Sequence, residues 1–275
     1  MLTDTTRLSQ QRARARALAA RPGADGGAWF AQAEAADEVQ ERLRDVNRGF
    51  TAPAVVTGQP ALWGGVVPGA TVVGDDPVLA LEPGAHDLVV HFMCLHWADD
   101  PVGQLVQCRR ALRPDGLLLA CLFGGRTLAE PRAALAEAET RLTGGLSPRV
   151  APMGEVRDMG ALLQRAGLAL PVADVSERTV AYRSYVALAR DLRATGEGNA
   201  LAARRRVPPP RGLFAEAERI HREAFPEGEG LRVTVQTVWL TGWAPSETQP
   251  KALRPGSART RLADALGVEE WGTDT

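Results

Sequence analysis

The residues of this chain that could do chemistry fall into a few short stretches. His86, His91 and His96 lie close enough in sequence to suggest a metal site. However, the odd offset puts His86 and His91 on opposite faces of a strand. No close cluster of Cys or carboxylate residues completes a ligand set, so no metal is expected. Asp75 and Asp76 stand before Pro77, where they either meet a polar ligand or close a turn, as Asp before Pro commonly does. His96 and Trp97 follow an apolar run, at the end of a strand where open α/β sheets keep their ligands. Either they touch a ligand, or Trp97 packs a helix on the sheet with His96 hydrogen-bonded beside it. Arg204-Arg205-Arg206 reads as a polyanion contact or as a solvated run beside Pro208-Pro209-Pro210. The chain has no GxSxG elbow and no P-loop, so acyl hydrolysis and nucleotide hydrolysis have no motif to support them.

These residues need elements to position them. Helical spacing over Trp29–Val46 (Ala35, Val39, Leu43, Val46) predicts a helix. Ala54–Thr57, Ala70–Val73, Asp87–Met93 and Leu117–Leu122 are apolar runs of strand length, the last two apolar enough to be covered on both faces. Between them lies a helix capped by Asp99 or Asp100, with Pro101 in its first turn and Val102, Leu105, Val106 and Leu112 as its buried stripe. Strand, helix and strand in this order make a βαβ unit, so the sheet is parallel here. Thr127 and Glu130 have capping-box spacing at the start of a further helix. Another short helix, Val156–Leu163, is stopped by Gly167. Leu170–Val175 and Thr179–Tyr182 read as strand, and Tyr185–Thr195 and Leu213–Phe225 as helices. Leu231–Trp243 alternates like a long antiparallel strand. The Pro- and Gly-rich tail from Pro245 is expected on the surface. This divides the chain into an N-terminal helical segment (1–50), an α/β core (51–182), a helical insertion (183–230) and a last strand with its tail (231–275).

Composition bounds the function. A chain of 275 residues with 45% hydrophobic and 24% charged residues can bury an ordinary core. A net charge of −1 gives no bulk electrostatic reason to bind nucleic acid or an anionic membrane. Three cysteines without CxxC spacing argue against a disulfide framework and for a reducing compartment, the bacterial cytoplasm. No stretch reaches the roughly 18 apolar residues of a membrane helix. Lys251 is the only lysine, a sign of GC-rich coding bias that discounts arginine clusters. Arg7–Arg21 is Arg- and Ala-rich like a transit peptide, or it is a helix at the domain edge, which the composition bias favours.

His86-Asp87-Leu88-Val89-Val90, then Leu95-His96-Trp97, then Arg113-Pro114-Asp115-Gly116 before an apolar strand resemble class I S-adenosylmethionine (SAM) methyltransferases. Phe123-Gly124-Gly125-Arg126-Thr127-Leu128, Gly144–Pro152 and Arg157–Gly167 narrow the resemblance to one subgroup. It comprises alphaproteobacterial relatives of the mitochondrial complex I assembly factor that acts as an arginine hydroxylase. The malonyl-carrier-protein methyltransferase of biotin synthesis is a more distant relative. The resemblance implies a three-layer Rossmann-like α/β sandwich, mostly parallel, with a last antiparallel strand. It also implies SAM as cofactor and a protein or carrier-protein substrate. The cofactor would meet Thr57 and Gly58 after the first strand, Asp75 and Asp76 after the next, and Leu95, His96 and Trp97 beyond. Ser147-Pro148-Arg149 falls in a subgroup motif, with a substrate-side or a structural role. No catalytic base is identified.

The first half departs from this pattern. The family needs a Gly-rich turn after its first strand, because a Cβ there would collide with the cofactor. Here Gly58 is followed by Gln59-Pro60-Ala61-Leu62-Trp63. The interval from Val55 to Asp87 fits about one βαβ unit, whereas the family fits two crossovers. Ala70–Asp76 aligns with the family's third strand, and the second, whose carboxylate holds the ribose, is missing. Two readings follow: a methyltransferase acting on a protein or carrier, or a degenerate relative that does not bind SAM and serves as an assembly or binding factor. Arginine hydroxylation is a third reading by resemblance, and no iron-binding facial triad is evident. An open cleft between Gly58, Asp75 and Leu95 would support the enzyme, and Trp63 filling that cleft would not.

Overall fold

The computed structural model describes residues 2–21, 26–228 and 230–250. Residues 1–245 form one compact unit. Of the second unit, 246–275, only Ser246 to Pro250 are described; there Ser246 and Gln249 close a turn on each other. The rest of the expected tail lies outside the described residues.

The first unit runs α1 (Thr5–Ala19), α2 (Phe30–Asp45), β1 (Pro53–Thr57), α3 (Pro60–Trp63), β2 (Thr71–Val73) and β3 (His86–Phe92). It continues through α4 (Pro101–Ala111), β4 (Leu112–Phe123), α5 (Ala129–Thr143), α6 (Val156–Arg165) and β5 (Ala169–Tyr182). It closes with α7 (Tyr185–Thr195), α8 (Leu213–Ala224), the short β6 (Pro226–Glu227) and β7 (Gly230–Trp243). The strands lie in the order β2-β1-β3-β4-β7-β5, with β6 beside β7. The first four are parallel, and β7 is antiparallel to both β4 and β5. β2 pairs directly with β1, so a single crossover joins them and no strand stands between. The two stretches expected at 170–175 and 179–182 are one strand, with a register shift between Ala169 and Val172.

Alternation along the strands builds two cores. Ala54 and Val56, Val89, Leu118, Ala120 and Leu122, Val238 and Leu240 point to one face, which α4 and α6 cover through Leu105, Cys108, Leu162 and Leu163. Val55, Leu88, Val90, Phe92, Leu117, Leu119 and Trp239 point to the other, covered by Ala31, Ala35 and Val39 of α2. The result is a three-layer, mostly parallel α/β sandwich. A third cluster packs α5, α7 and α8 against Leu231 and Val233 of β7, over one end of the sheet. A fourth joins Leu8 of α1 to Trp97, Ala151, Ala200 and Leu201.

Of the two caps expected for α4, Asp100 is the one used, accepting from the Gly103 N–H; Asp99 accepts from the N–H groups of Leu2 and Thr3. Two other local expectations are corrected. The buried stripe of α4 is Gln104, Leu105, Cys108 and Ala111, with Val102 and Val106 only partly buried, and Leu112 is already in β4. Thr127 and Glu130 do not form a capping box. Leu128, the residue before α5, is in the left-handed region and makes no side-chain cap. Thr127 Oγ1 exchanges hydrogen bonds with the Gln236 backbone, and Glu130 accepts from the N–H and hydroxyl of Thr234. Both side chains therefore staple α5 to β7. Among the described residues, no helix is long and apolar enough to cross a membrane.

Candidate functional site

The carboxyl ends of β1, β2 and β3 define the place where such sheets bind ligands. β1 ends in Thr57, buried, with its Oγ1 accepting from the Gln59 N–H at 3.4 Å. Gly58 follows, and the space above it is filled from an unexpected direction. A Cβ added at Gly58 would lie 2.3 Å from Cζ of Arg12, on α1. The Arg12 guanidinium grips Asp75 bidentately, with both N···O distances 2.7 Å, in a pair largely shielded from water. Burial lowers the Arg12 pKa, but the charge and hydrogen bonds of Asp75 outweigh it and hold the group above its ordinary value. Arg16, one turn further along α1, reaches Gln59 Oε1 at 3.4 Å.

The other sequence-derived site residues are placed as follows. Asp75 follows β2 and is the partner of Arg12. Asp76 is exposed in the adjoining turn, and its carbonyl, with that of Asp75, accepts from Gln104 Nε2. This explains the buried glutamine on α4: its Oε1 takes the Nε2–H of His91 at 2.8 Å while its amide clamps the β2 turn. Leu95 points into the α4-side core, away from the cleft. The His96 side chain is buried, 3.2 Å from Glu197 Oε2, with its ring edge-on to Phe123. Trp97 Nε1 donates to the same Glu197 oxygen at 2.8 Å. Glu197 gave no signal in the sequence beyond Gly196, whose φ of +81° ends α7 and aims the next residue inward.

Two cavities result, separated by Gln32, Thr195 and Glu197, which line both. The one beneath Arg12, between Gly58, Gln59, Trp29, Trp63 and Met93, holds about 10 Å³, room for about one water. Gln32 Oε1, Gln59 Nε2 and Trp63 Nε1 line it without a hydrogen-bond partner. Trp63 packs between Trp29 and Phe92 at 5.8 and 5.5 Å, so it walls this space while Arg12 fills it. The residues present therefore do not fit SAM: the place a nucleoside and its amino acid would need is taken by a guanidinium and an indole. The second cavity holds about 290 Å³ and is mostly apolar, with Phe30, Trp97, Phe123, Tyr185, Leu188 and Val233 among its walls.

Thiol chemistry has no foothold beside it. Burial pushes the Cys108 and Cys121 thiols up to about 12 and raises that of Cys94 as well, and buried high-pKa thiols are inert. His91 is held below its ordinary pKa by burial, so it stays neutral. In the Ser147-Pro148-Arg149 loop, Ser147 and Arg149 both bind Glu139 of α5, and Arg149 also lines the apolar cavity.

Comparison with known proteins bears on this arrangement. A methyltransferase domain family matches residues 60–120. The chain is 33% identical to the mitochondrial arginine-hydroxylase NDUFAF5 of Danio rerio over 76% of its own length and 65% of that protein's. To the Homo sapiens protein of the same name it is 35% identical, over 72% and 57%. A malonyl-[acyl-carrier protein] O-methyltransferase of Xylella fastidiosa is 33% identical over 65% and 59%. The chain thus spans between about half and two thirds of the length of these curated relatives. Among solved structures, a SAM-dependent methyltransferase from Thermotoga maritima aligns over 78% of this chain and 92% of its own, at 14% identity and a TM-score of 0.40. By these matches the chain is similar to both groups, and its residues 60–120 match the methyltransferase domain family.

Proposed function

We propose that this is a methyltransferase-fold protein that does not use SAM and that acts as a binding or assembly factor. The observation that carries the reading is Arg12: its guanidinium occupies the space a Cβ at Gly58 would take and pairs with Asp75, an acidic residue just past β2. Fold alone does not fix activity, and here the groups that would touch a cofactor touch each other instead. The resemblance to the complex I assembly group supports a protein subunit as the class of client, and the expected compartment is the bacterial cytoplasm. A second reading, methyl transfer to a carrier-bound substrate, draws on the apolar cavity beside Trp97 and on the carrier-protein methyltransferases among the relatives.

Calorimetric titration with S-adenosylhomocysteine, after a check for co-purified ligand, separates the two. The proposal expects no heat and no thermal shift at millimolar ligand. Micromolar binding near one-to-one would overturn it and make the search for a methyl acceptor worthwhile.

A further inference from the structure

The apolar cavity shares a wall with a second, basic one. Leu192, Arg193, Gly198 and Asn199 line it and also line a second basin of about 660 Å³. That basin is ringed by Arg7 and Arg14 of α1, Arg193 of α7, and Arg204, Arg205 and Arg206 of the loop that follows. Among the described residues, no carboxylate lines it. Arg204 pairs with Asp4, and Arg205 stands 4.0 Å from Glu139. Arg7, Arg14, Arg193 and Arg206 form no ion pair among the described residues. Glu197, between the basin-lining Gly196 and Gly198, turns its carboxylate inward to His96 and Trp97. Like charges gathered in a concave surface repel one another and focus a positive field into it, and guanidinium groups match phosphate oxygens in geometry and charge. Coding bias accounts for arginine in place of lysine. It does not account for arginines from three separate segments meeting at one basin, or for that basin opening beside an apolar cavity.

We propose that the two cavities form one site for an amphipathic phosphate: an acyl or prenyl chain in the apolar cavity, with its phosphate or diphosphate among the arginines. The site is distinct from the closed SAM position, and its occupancy does not depend on whether S-adenosylhomocysteine binds. The chain would run past Trp97, Leu188 and Val233, and the head would leave through the Arg193–Asn199 neck. Each methylene buried in such a cavity strengthens binding by about fourfold. The affinity should therefore climb with chain length until the cavity is full, and fall with salt.

The test uses the full chain and tryptophan fluorescence or calorimetry, with dodecyl phosphate, decyl phosphate, dodecyltrimethylammonium and inorganic pyrophosphate, each below its micelle concentration. Dodecyl phosphate is expected to bind one-to-one, roughly fifteenfold tighter than decyl phosphate, and far tighter than the cationic chain or pyrophosphate. Arg193→Gln and Arg206→Gln, both on the surface, should each weaken it by about tenfold. Ala189→Trp should abolish dodecyl phosphate binding while sparing that of pyrophosphate. Leu135→Phe, on a different helix, makes the same test should the first variant melt early. Equal binding of both chains regardless of head charge would overturn the proposal, as would binding untouched by the cavity-filling variants. Salt-sensitive binding of a single-stranded oligonucleotide that competes with pyrophosphate but not with dodecyl phosphate would likewise overturn it, by assigning the basin to a polyanion alone.

Discussion

Gly58 and Arg12 are 46 positions apart in the chain, yet each explains the other. A glycine after the first strand normally lets a ligand approach the backbone; here it lets in a guanidinium. The interaction can be measured as a cycle. Gly58→Ala should cost on the order of 1–3 kcal/mol, because the new methyl group overlaps Arg12 and displaces it from Asp75. In an Arg12→Ala background the same substitution should cost far less, since the space is then vacant. Urea denaturation of the four proteins reads the coupling, and additive costs would mean that Arg12 does not rest on Gly58 in solution. Of the seven residues named from sequence, only Thr57, Gly58 and Asp75 meet at the small cavity or its plug, and Trp97 lines the large one. Leu95 lies in the core instead, because an apolar residue just past a strand reads alike whether it faces core or cleft. Arg12 has no signal in the sequence, because an arginine in an arginine-rich segment carries no local mark. Its meaning lies in an acid 63 positions away.

At the scale of elements, α5 depends on two carboxylates. Glu130 ties its start to Thr234 of β7, and Glu139 ties its end to Ser147 and Arg149. Burial by itself would raise both pKa values. Hydrogen bonds from Thr234 to Glu130, and from Arg149 and Ser147 to Glu139, with the nearby arginine charge, outweigh it and leave both below the ordinary carboxylate value. A carboxyl with a depressed folded pKa adds stability above its unfolded pKa of about 4.3, and that contribution is lost as pH falls through the folded value. Stability to urea should therefore fall between about pH 5 and 3, and Glu139→Gln, less stable at pH 7, should lose less over that window. Parallel pH curves for the two proteins would refute the assignment. The Thr-x-x-Glu spacing was legible in the sequence, but its use was not. The same two side chains serve a cap or a staple, and the presence of β7 alongside decided for the staple.

Residues 1–245 form a covered sheet with α1 laid over the carboxyl ends of β1 and β2. That helix buries only Leu8 and Ala15 and is held by the Arg12–Asp75 and Arg204–Asp4 pairs, whereas β3 is buried along almost its full length. Local opening follows such differences in burial. Hydrogen exchange should show the amides of α1 exchanging well before those of β1, β3 and β4, and Asp75→Asn should speed α1 alone. Uniform exchange across both would place α1 in the same cooperative unit as the sheet and remove the idea of a separable plug.

The sequence by itself determined the sheet and its covering. Apolar runs of strand length, a capped helix between two of them, the Arg-Pro-Asp-Gly turn and the alternating Leu231–Trp243 segment are local signals with local causes: side-chain period, cap chemistry and turn geometry. They fixed the parallel core, the long antiparallel strand and the helices at 185–195 and 213–224. The tertiary structure alone decided what occupies the ligand end. An ion pair between α1 and the β2 turn, a glutamate swung in behind Gly196, and arginines of three segments gathered at one basin all join residues far apart in the chain. Such contacts are set by where the helices land on the sheet, and no periodicity in the sequence encodes that.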